Sequence, residues 1–285
     1  MFWVKVNATS ANLCVGFDVL GLALDISNLF SFEESNEFGF KGFEEEYCNT
    51  KNNMVYDSYC YVFEKLNKKP IPVIIGFKGD IPVSRGLGSS SSLIVAGVFA
   101  ANHILGNPLT KDELFNICVK LEGHPDNVAP AIYGSLVASY KNGEEYYPNI
   151  YEVNDKLKFI TVIPNYKLKT HEAREVLPKQ LEYADIINNL SRIVNIPKAF
   201  KDGNLGLIID LFKDKLHEPY RKGLIRDYDK LKNICDKNNV AFCISGSGST
   251  MLIISYDYDI INEIKDLGFE IRCPKLGDGV SIAEE

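Results

Sequence analysis

The stretch Pro82–Ser92, PVSRGLGSSSS, has the residue types and spacing best suited to chemistry. Gly86 and Gly88 can take backbone angles closed to other residues. Serines follow them, and Leu93–Ala101 then reads as a buried helix. A glycine-rich turn feeding such a helix leaves backbone N–H groups free and aimed at one point, where the helix dipole favours negative charge. The stretch therefore reads as a phosphate cradle; the plainer alternative is a flexible Gly/Ser loop. It is not a P-loop, because no Lys-Ser/Thr follows the glycines, nor a dinucleotide fingerprint, because position 91 is serine.

Other polar residues stand where chemistry is expected. Glu122 follows the apolar positions Leu114, Ile117, Cys118 and Leu121 and precedes Gly123. It thus falls at the C-terminal end of a helix, where the dipole opposes a carboxylate. A bound cation would offset that penalty; a solvent-facing glutamate is the alternative. Asn12 and Asp18 lie in ATSANLCVGFDVLG, a structured loop from which both could reach a ligand or cap turns locally. Asp126 or Asn127 begins a short helix within HPDNVAPAIYG.

The elements that must position these residues follow from patterning. Phe2–Val6 alternates like a strand, and a second strand is expected near Leu22–Phe32. Glu33–Asn49 suggests an exposed hairpin, Asn53–Leu66 an amphipathic helix and Val73–Phe77 a short strand. The helix after the glycine loop runs to about Leu105, and Thr110 with Glu113 forms a capping box for the next. Leu136–Tyr140 reads as a strand and Gly143–Pro148 as a turn. A boundary between Asn142 and Asp155 divides the chain into domains 1–150 and 151–285. The second half shows a strand at Leu157–Ile163, helical patterns across Tyr183–Val194, Leu205–Leu211 and Ile225–Cys235, and a β-turn-β-α-β order from Val240 to Cys273. That order predicts an α+β sandwich with an antiparallel sheet.

At 285 residues with 46 % hydrophobic content, the chain suits one large domain or two ordinary ones. A formal net charge of -7 does not favour nucleic acid as a partner, while local donors can still hold small anions. The seven cysteines are scattered without a C-x-x-C pair, which argues against a disulfide framework and a zinc site and for a reducing, cytoplasmic compartment. No signal-type segment is expected at the N-terminus, and the longest apolar run is too short to span a membrane.

Taken together, PVSRGLGSSSS, ATSANLCVGFDVLGLAL and ISGSG resemble the GHMP small-molecule kinases, in the right order and across essentially the whole chain. LEGHPDNVAPAIYG and THEAREVLP narrow the resemblance to the homoserine kinase branch. Departures fall at Cys14 and Val15, where glycine and proline are commoner, at Ser249 in place of proline, and at Ser92 in place of a small apolar residue.

The resemblance implies a two-domain α+β fold. The N-terminal domain would be like the second domain of a small-subunit ribosomal protein, and the C-terminal domain ferredoxin-like. It implies ATP-dependent phosphorylation of the L-homoserine hydroxyl, giving O-phospho-L-homoserine in threonine biosynthesis, and a homodimer is a family-level expectation. For ATP it points to Asn53, Val55, Arg85, Gly86, Leu87, Gly88, Ser89, Ser90 and Ser91, and for Mg²⁺ to Ser90 and Glu122. Arg174 and Arg221 would take the substrate carboxylate, since a guanidinium offers a bidentate fork. Asp18 and Asp126 would take the ammonium, with Asn12, His124, Thr170, Gly246 and Gly248 completing the substrate pocket. Asp126, Asn127 and Arg174 are the candidate catalytic residues, Asp126 serving binding and alignment ahead of any role as base. Two alternatives stay open: a relative acting on a mevalonate-like alcohol, and a catalytically silent nucleotide-binding protein.

Overall fold

The computed structural model describes residues 1–284. Its strands are β1 (Phe2–Ser10), β2 (Leu20–Glu34), β3 (Gly39–Lys41), β4 (Val73–Lys78), β5 (Leu136–Asn142), β6 (Glu145–Tyr151), β7 (Lys158–Ile163), β8 (Ala241–Ile244), β9 (Met251–Ser255), β10 (Glu270–Arg272) and β11 (Ser281–Glu284). Its α-helices are α1 (Met54–Lys65), α2 (Ser89–Ile104), α3 (Lys111–Glu122), α4 (Pro125–Tyr133), α5 (Thr170–Glu175), α6 (Tyr183–Ile193), α7 (Ile196–Asp202), α8 (Leu205–Leu211), α9 (Glu218–Arg221), α10 (Tyr228–Lys237) and α11 (Ile261–Ile264).

The architecture is α+β in two units. A seven-stranded sheet runs β11-β1-β2-β4-β3, with β5 on β2 and β6 on β5. Helices α1 to α4 cover it and share its core, where Phe30, Phe32, Tyr59, Phe63, Val95 and Phe115 are buried together. The second sheet is four-stranded, in the order β10-β7-β9-β8, and antiparallel throughout. Strands β7, β8 and β9 are buried on both faces. Cys243, Leu252 and Ile254 face a cluster shared with Leu13, Leu20 and Leu22 of the first unit. Phe242, Ile244, Met251 and Ile253 face Ile225, Tyr228 and Leu231. The period-two alternation of a strand thus lets one short hairpin join two cores.

Three expectations change. Glu33–Asn49 is not a hairpin: β2 runs on to Glu34, and β3 pairs with β4 in parallel. Gly143–Pro148 is only partly a turn, because Glu145–Tyr151 forms β6 against β5. The last strand, which a division at residue 150 places with the second half, returns to β1 of the first sheet, in the register Phe2 with Glu284 to Lys5 with Ser281. Among the described residues no helix is long and apolar enough to cross a membrane.

Candidate active site

The two ends of the glycine loop are held by different units. Leu87 O accepts the Thr9 N–H of β1 at 3.2 Å, while Arg85 O accepts the Thr250 N–H at 3.0 Å and Gly86 O the Ser245 hydroxyl at 2.7 Å. Gly86 and Gly88 sit at φ 77° and 70°, the left-handed region. A Cβ at Gly86 would meet Ser245 O at 2.2 Å, and one at Gly88 would meet Thr9 Oγ1 at 2.0 Å. Glycine is therefore dictated at both positions by conformation and by space.

Gly88 is the N-cap of α2 and supplies no side-chain cap. Thr110 and Glu113, in contrast, close a full capping box on α3. The open N–H groups of α2 thus face a cavity of about 330 Å³ that is lined by both units. Arg85 lines the same wall; its Nε donates to Pro164 O at 3.0 Å, and its Nη1 is buried without a hydrogen-bond partner among the described residues. An open helix N-terminus on a cavity wall that also carries an arginine suits an anion.

Glu122 closes α3, and Gly123 ends the helix at φ 96°. Its Oε1 accepts the hydroxyls of Ser90 and Ser91, each at 2.7 Å. The predicted pair Ser90 and Glu122 is thereby brought together at the mouth of the phosphate cradle, as an all-oxygen donor set.

Across the cavity α4 begins at Pro125, which suits the first helical position. Asp126 is buried at 1 % exposure; its Oδ1 accepts from His124 Nδ1 at 2.7 Å and its Oδ2 from the Asn12 N–H at 3.2 Å. Burial disfavours the His124 imidazolium, but Asp126, through its hydrogen bond and charge, and Glu122 outweigh this, so the proton affinity rises. Asn127 Oδ1 accepts the Thr9 hydroxyl at 2.7 Å. Asn12 Nδ2 donates to Gly246 O at 3.0 Å, and Asn12 Oδ1 accepts the Asp18 N–H at 2.9 Å.

The two predicted arginines converge here from α5 and α9. Arg174 forms a bidentate pair with Asp18, at 3.1 and 2.7 Å, and that hydrogen-bonded carboxylate raises its proton affinity. Arg221 is 1 % exposed yet bonds only neutral acceptors: Ala173 O at 3.0 Å, Gly246 O at 3.1 Å and His217 Nδ1 at 3.4 Å. His217 Nε2 donates to Cys14 O at 2.7 Å, so Nδ1 is the acceptor of a neutral ring, in keeping with burial pulling its proton affinity down. Burial and the Arg174 charge lower Arg221 to about 10 against the pull of Asp18, Asp126 and Asp214. A buried cation without a carboxylate in contact, on the wall of a cavity, is built to receive an anion.

Of the residues predicted from sequence, Asn12, Asn53, Arg85, Gly86, Gly88, Ser89, Ser90, Glu122, His124, Asp126, Asn127, Thr170, Arg174, Arg221 and Gly246 line this one cavity. The others do not line it. Val55 is buried in the first core, one helical turn from Tyr59. Leu87 turns its side chain inward at 1 % exposure, and Ser91 reaches the site only through Glu122. Asp18 acts from behind Arg174, and Gly248 faces Ile225 and Leu168. Asn53 lines the cavity, but its amide caps α1 through Val55 N and Tyr56 N and donates to Tyr47 O.

Sequence reading missed Lys167 and Ser247, both on the cavity wall, and the apolar side formed by Phe43, Tyr47, Met54, Phe77 and Val83. Lys167 stands just ahead of the THEAREVLP segment and Ser247 lies inside ISGSG, so those motifs held the only signal for either.

Comparisons with known proteins bear on the family and the fold. The model of the GHMP kinases N-terminal domain matches residues 53–135. A homoserine kinase of Clostridium botulinum (strain Eklund 17B) is 44 % identical over 257 residues, covering 89 % of this chain and 86 % of that protein. One of Clostridium beijerinckii is 41 % identical over 272 residues, covering 93 % and 91 %. The crystal structure of homoserine kinase from Cytophaga hutchinsonii superposes with a TM-score of 0.88 at 24 % identity, over 99 % of this chain and 97 % of that one. The Methanococcus jannaschii mevalonate kinase gives 0.73 at 14 % identity, over 97 % and 98 %; both likenesses speak to the fold alone. With such identity to curated relatives along nearly its whole length, the chain belongs to the GHMP kinase family.

Proposed function

We propose that the protein transfers the γ-phosphoryl group of ATP to the side-chain hydroxyl of L-homoserine, giving O-phospho-L-homoserine and ADP. One observation carries this reading. A single cavity has an open helix N-terminus on one side and, on the other, Asp126, Arg221 and Arg174, the last held from behind by Asp18. The first suits phosphate. The second offers separate cationic and anionic groups, which suits a zwitterionic amino acid. The relatives bearing the name homoserine kinase support the same substrate.

In this reading the Gly86–Ser90 backbone holds the β- and γ-phosphates, and the apolar wall of Phe43, Met54, Phe77 and Val83 takes the base. Ser90 and Glu122 would hold Mg²⁺ through hydroxyl and carboxylate oxygens, the hard donors that ion takes. Bound there, the ion offsets charge on the phosphate oxygens as the phosphoryl group moves. Arg174 and Arg221 grip the substrate carboxylate, and Asp18 and Asp126 take the ammonium. Asp126 also aligns the hydroxyl. A loose transition state calls for little proton abstraction until late, so positioning carries most of the work. Asp126, with one hydrogen bond on each oxygen, keeps lone pairs free for the hydroxyl proton when it leaves.

A homodimer in a reducing cytoplasm completes the proposal. The cysteines are all free, and α6 exposes Tyr183, Ile187 and Leu190, with Val194 just beyond its end, as an uncharged apolar stripe. The test of the function is a coupled ADP-release assay against homoserine, threonine, mevalonate, galactose and shikimate, with and without Mg²⁺. Homoserine should be preferred by orders of magnitude. Preference for mevalonate, or ADP release that ignores every acceptor, would overturn the reading.

A further inference from the structure

Both arginines of the site lie over the ring of Phe17, which does not itself line the cavity. Its centroid is 5.6 Å from Arg174 Cζ and 5.1 Å from Arg221 Cζ, and the His217 ring stacks on it at 5.4 Å. We propose that Phe17 is a positioning residue: its ring is a shared rigid surface that holds the two guanidiniums in place so that both can grip one substrate carboxylate. The inference rests on the homoserine reading of this cavity.

The physical argument starts from repulsion. Arg174 and Arg221 are like charges close enough for the first to lower the proton affinity of the second. Arg174 has the Asp18 carboxylate to hold it, whereas Arg221 has only carbonyls and a neutral imidazole. Before substrate arrives, something must hold the two heads apart without neutralising them, since a neutralised Arg221 would not attract a carboxylate. An aromatic ring meets that need. Its electron-rich face attracts a guanidinium and cannot form an ion pair with it. Its flat body is a rigid surface for both heads that an aliphatic chain would not supply.

The loop holds the ring in place. Gly16 N–H donates to Leu13 O at 3.2 Å, and Asp18 N–H donates to Asn12 Oδ1 at 2.9 Å, so Phe17 is pinned from both neighbours. Asp18 itself then pairs with Arg174. Adjacent residues therefore serve one arginine by charge and both arginines by shape.

The test compares Phe17→Leu and Phe17→Tyr with the natural protein, using L-homoserine and its carboxylate-free analogue 2-amino-1,4-butanediol. Phe17→Leu should raise KM for homoserine about tenfold and leave KM for ATP within about twofold. Its KM for the analogue should stay near the natural value, because that compound makes no call on the arginine pair. Phe17→Tyr, which keeps the ring, should restore the homoserine KM. Equal losses on both substrates would mark a merely structural role and overturn the inference, as would an unchanged homoserine KM in Phe17→Leu. If Phe17→Leu does not fold, Phe17→Met serves the same comparison. Failure of the natural protein to phosphorylate homoserine at all is a separate outcome; it would refute the substrate reading on which the inference stands.

Discussion

Arg174 and Asp18 grip each other through two hydrogen bonds, at 3.1 and 2.7 Å, although 156 residues separate them. Each is assigned to a different end of the same substrate. On the proposed substrate, the pair does for itself what a zwitterion would do for both: an ammonium would replace Arg174 at Asp18, and a carboxylate would replace Asp18 at Arg174. Asp18→Asn should raise KM for homoserine about 10- to 100-fold, the worth of a charge-assisted hydrogen bond. For 4-hydroxybutanoate, which lacks the ammonium, the same substitution should leave KM unchanged or improved. Initial-rate measurements with both substrates check this. Parallel losses on the two would contradict the exchange.

Asp126 accepts from His124 and from the Asn12 backbone while 1 % exposed. Asp126→Asn puts an NH₂ where one of those donors points and removes the proton acceptor. Turnover should fall roughly 10²- to 10⁴-fold, with a Tm close to the natural value serving as the folding control. Near-natural turnover with homoserine would end any catalytic role for this carboxylate.

The oxygen set at Ser90 and Glu122 predicts a metal phenotype. Glu122→Gln keeps the shape and loses the charge. The Mg²⁺ concentration that gives half-maximal rate should rise about tenfold or more, with the rate at saturating Mg²⁺ less affected. A rate-versus-Mg²⁺ titration decides; superimposable curves would remove Glu122 from the metal site.

Glu218 opens α9, the short helix that carries Arg221, and its Oε1 accepts the Ile244 N–H at 2.6 Å. Burial pushes this carboxyl up to about 8. A carboxyl raised in the folded state is protonated there while the unfolded chain has already lost its proton. Its stabilising contribution is thus full below the ordinary carboxylate range and is lost as pH rises through about 8. Glu218→Gln, which mimics the protonated form, should match the natural protein in Tm near pH 4, already exceed it near pH 6 and exceed it most near pH 9. Parallel Tm profiles across that interval would show that Glu218 is not protonated in the fold.

Much of the site was legible because it rests on local rules. The glycines announce a turn only they can make, and Gly123 marks the end of the helix that leaves Glu122 facing the serines. What stayed hidden depends on contacts between distant parts of the chain. Phe17 looks like one apolar residue in a loop until α5 and α9 bring two arginines over its ring. The family resemblance points Val55 toward the nucleotide, yet helical periodicity turns it toward Tyr59 and the core. The parallel pairing of β3 and the return of β11 to β1 leave no local mark, since strand partners are chosen by the whole sheet.

The most direct measurement is a crystal structure with homoserine, Mg²⁺ and a non-hydrolysable ATP analogue bound together. The triphosphate should lie against Gly86–Ser90, the amino acid's carboxylate on Arg174 and Arg221, and its hydroxyl between Asp126 and the terminal phosphate. A triphosphate bound away from the serine-rich turn, or an amino acid whose carboxylate meets neither arginine, would contradict the assignment of this cavity.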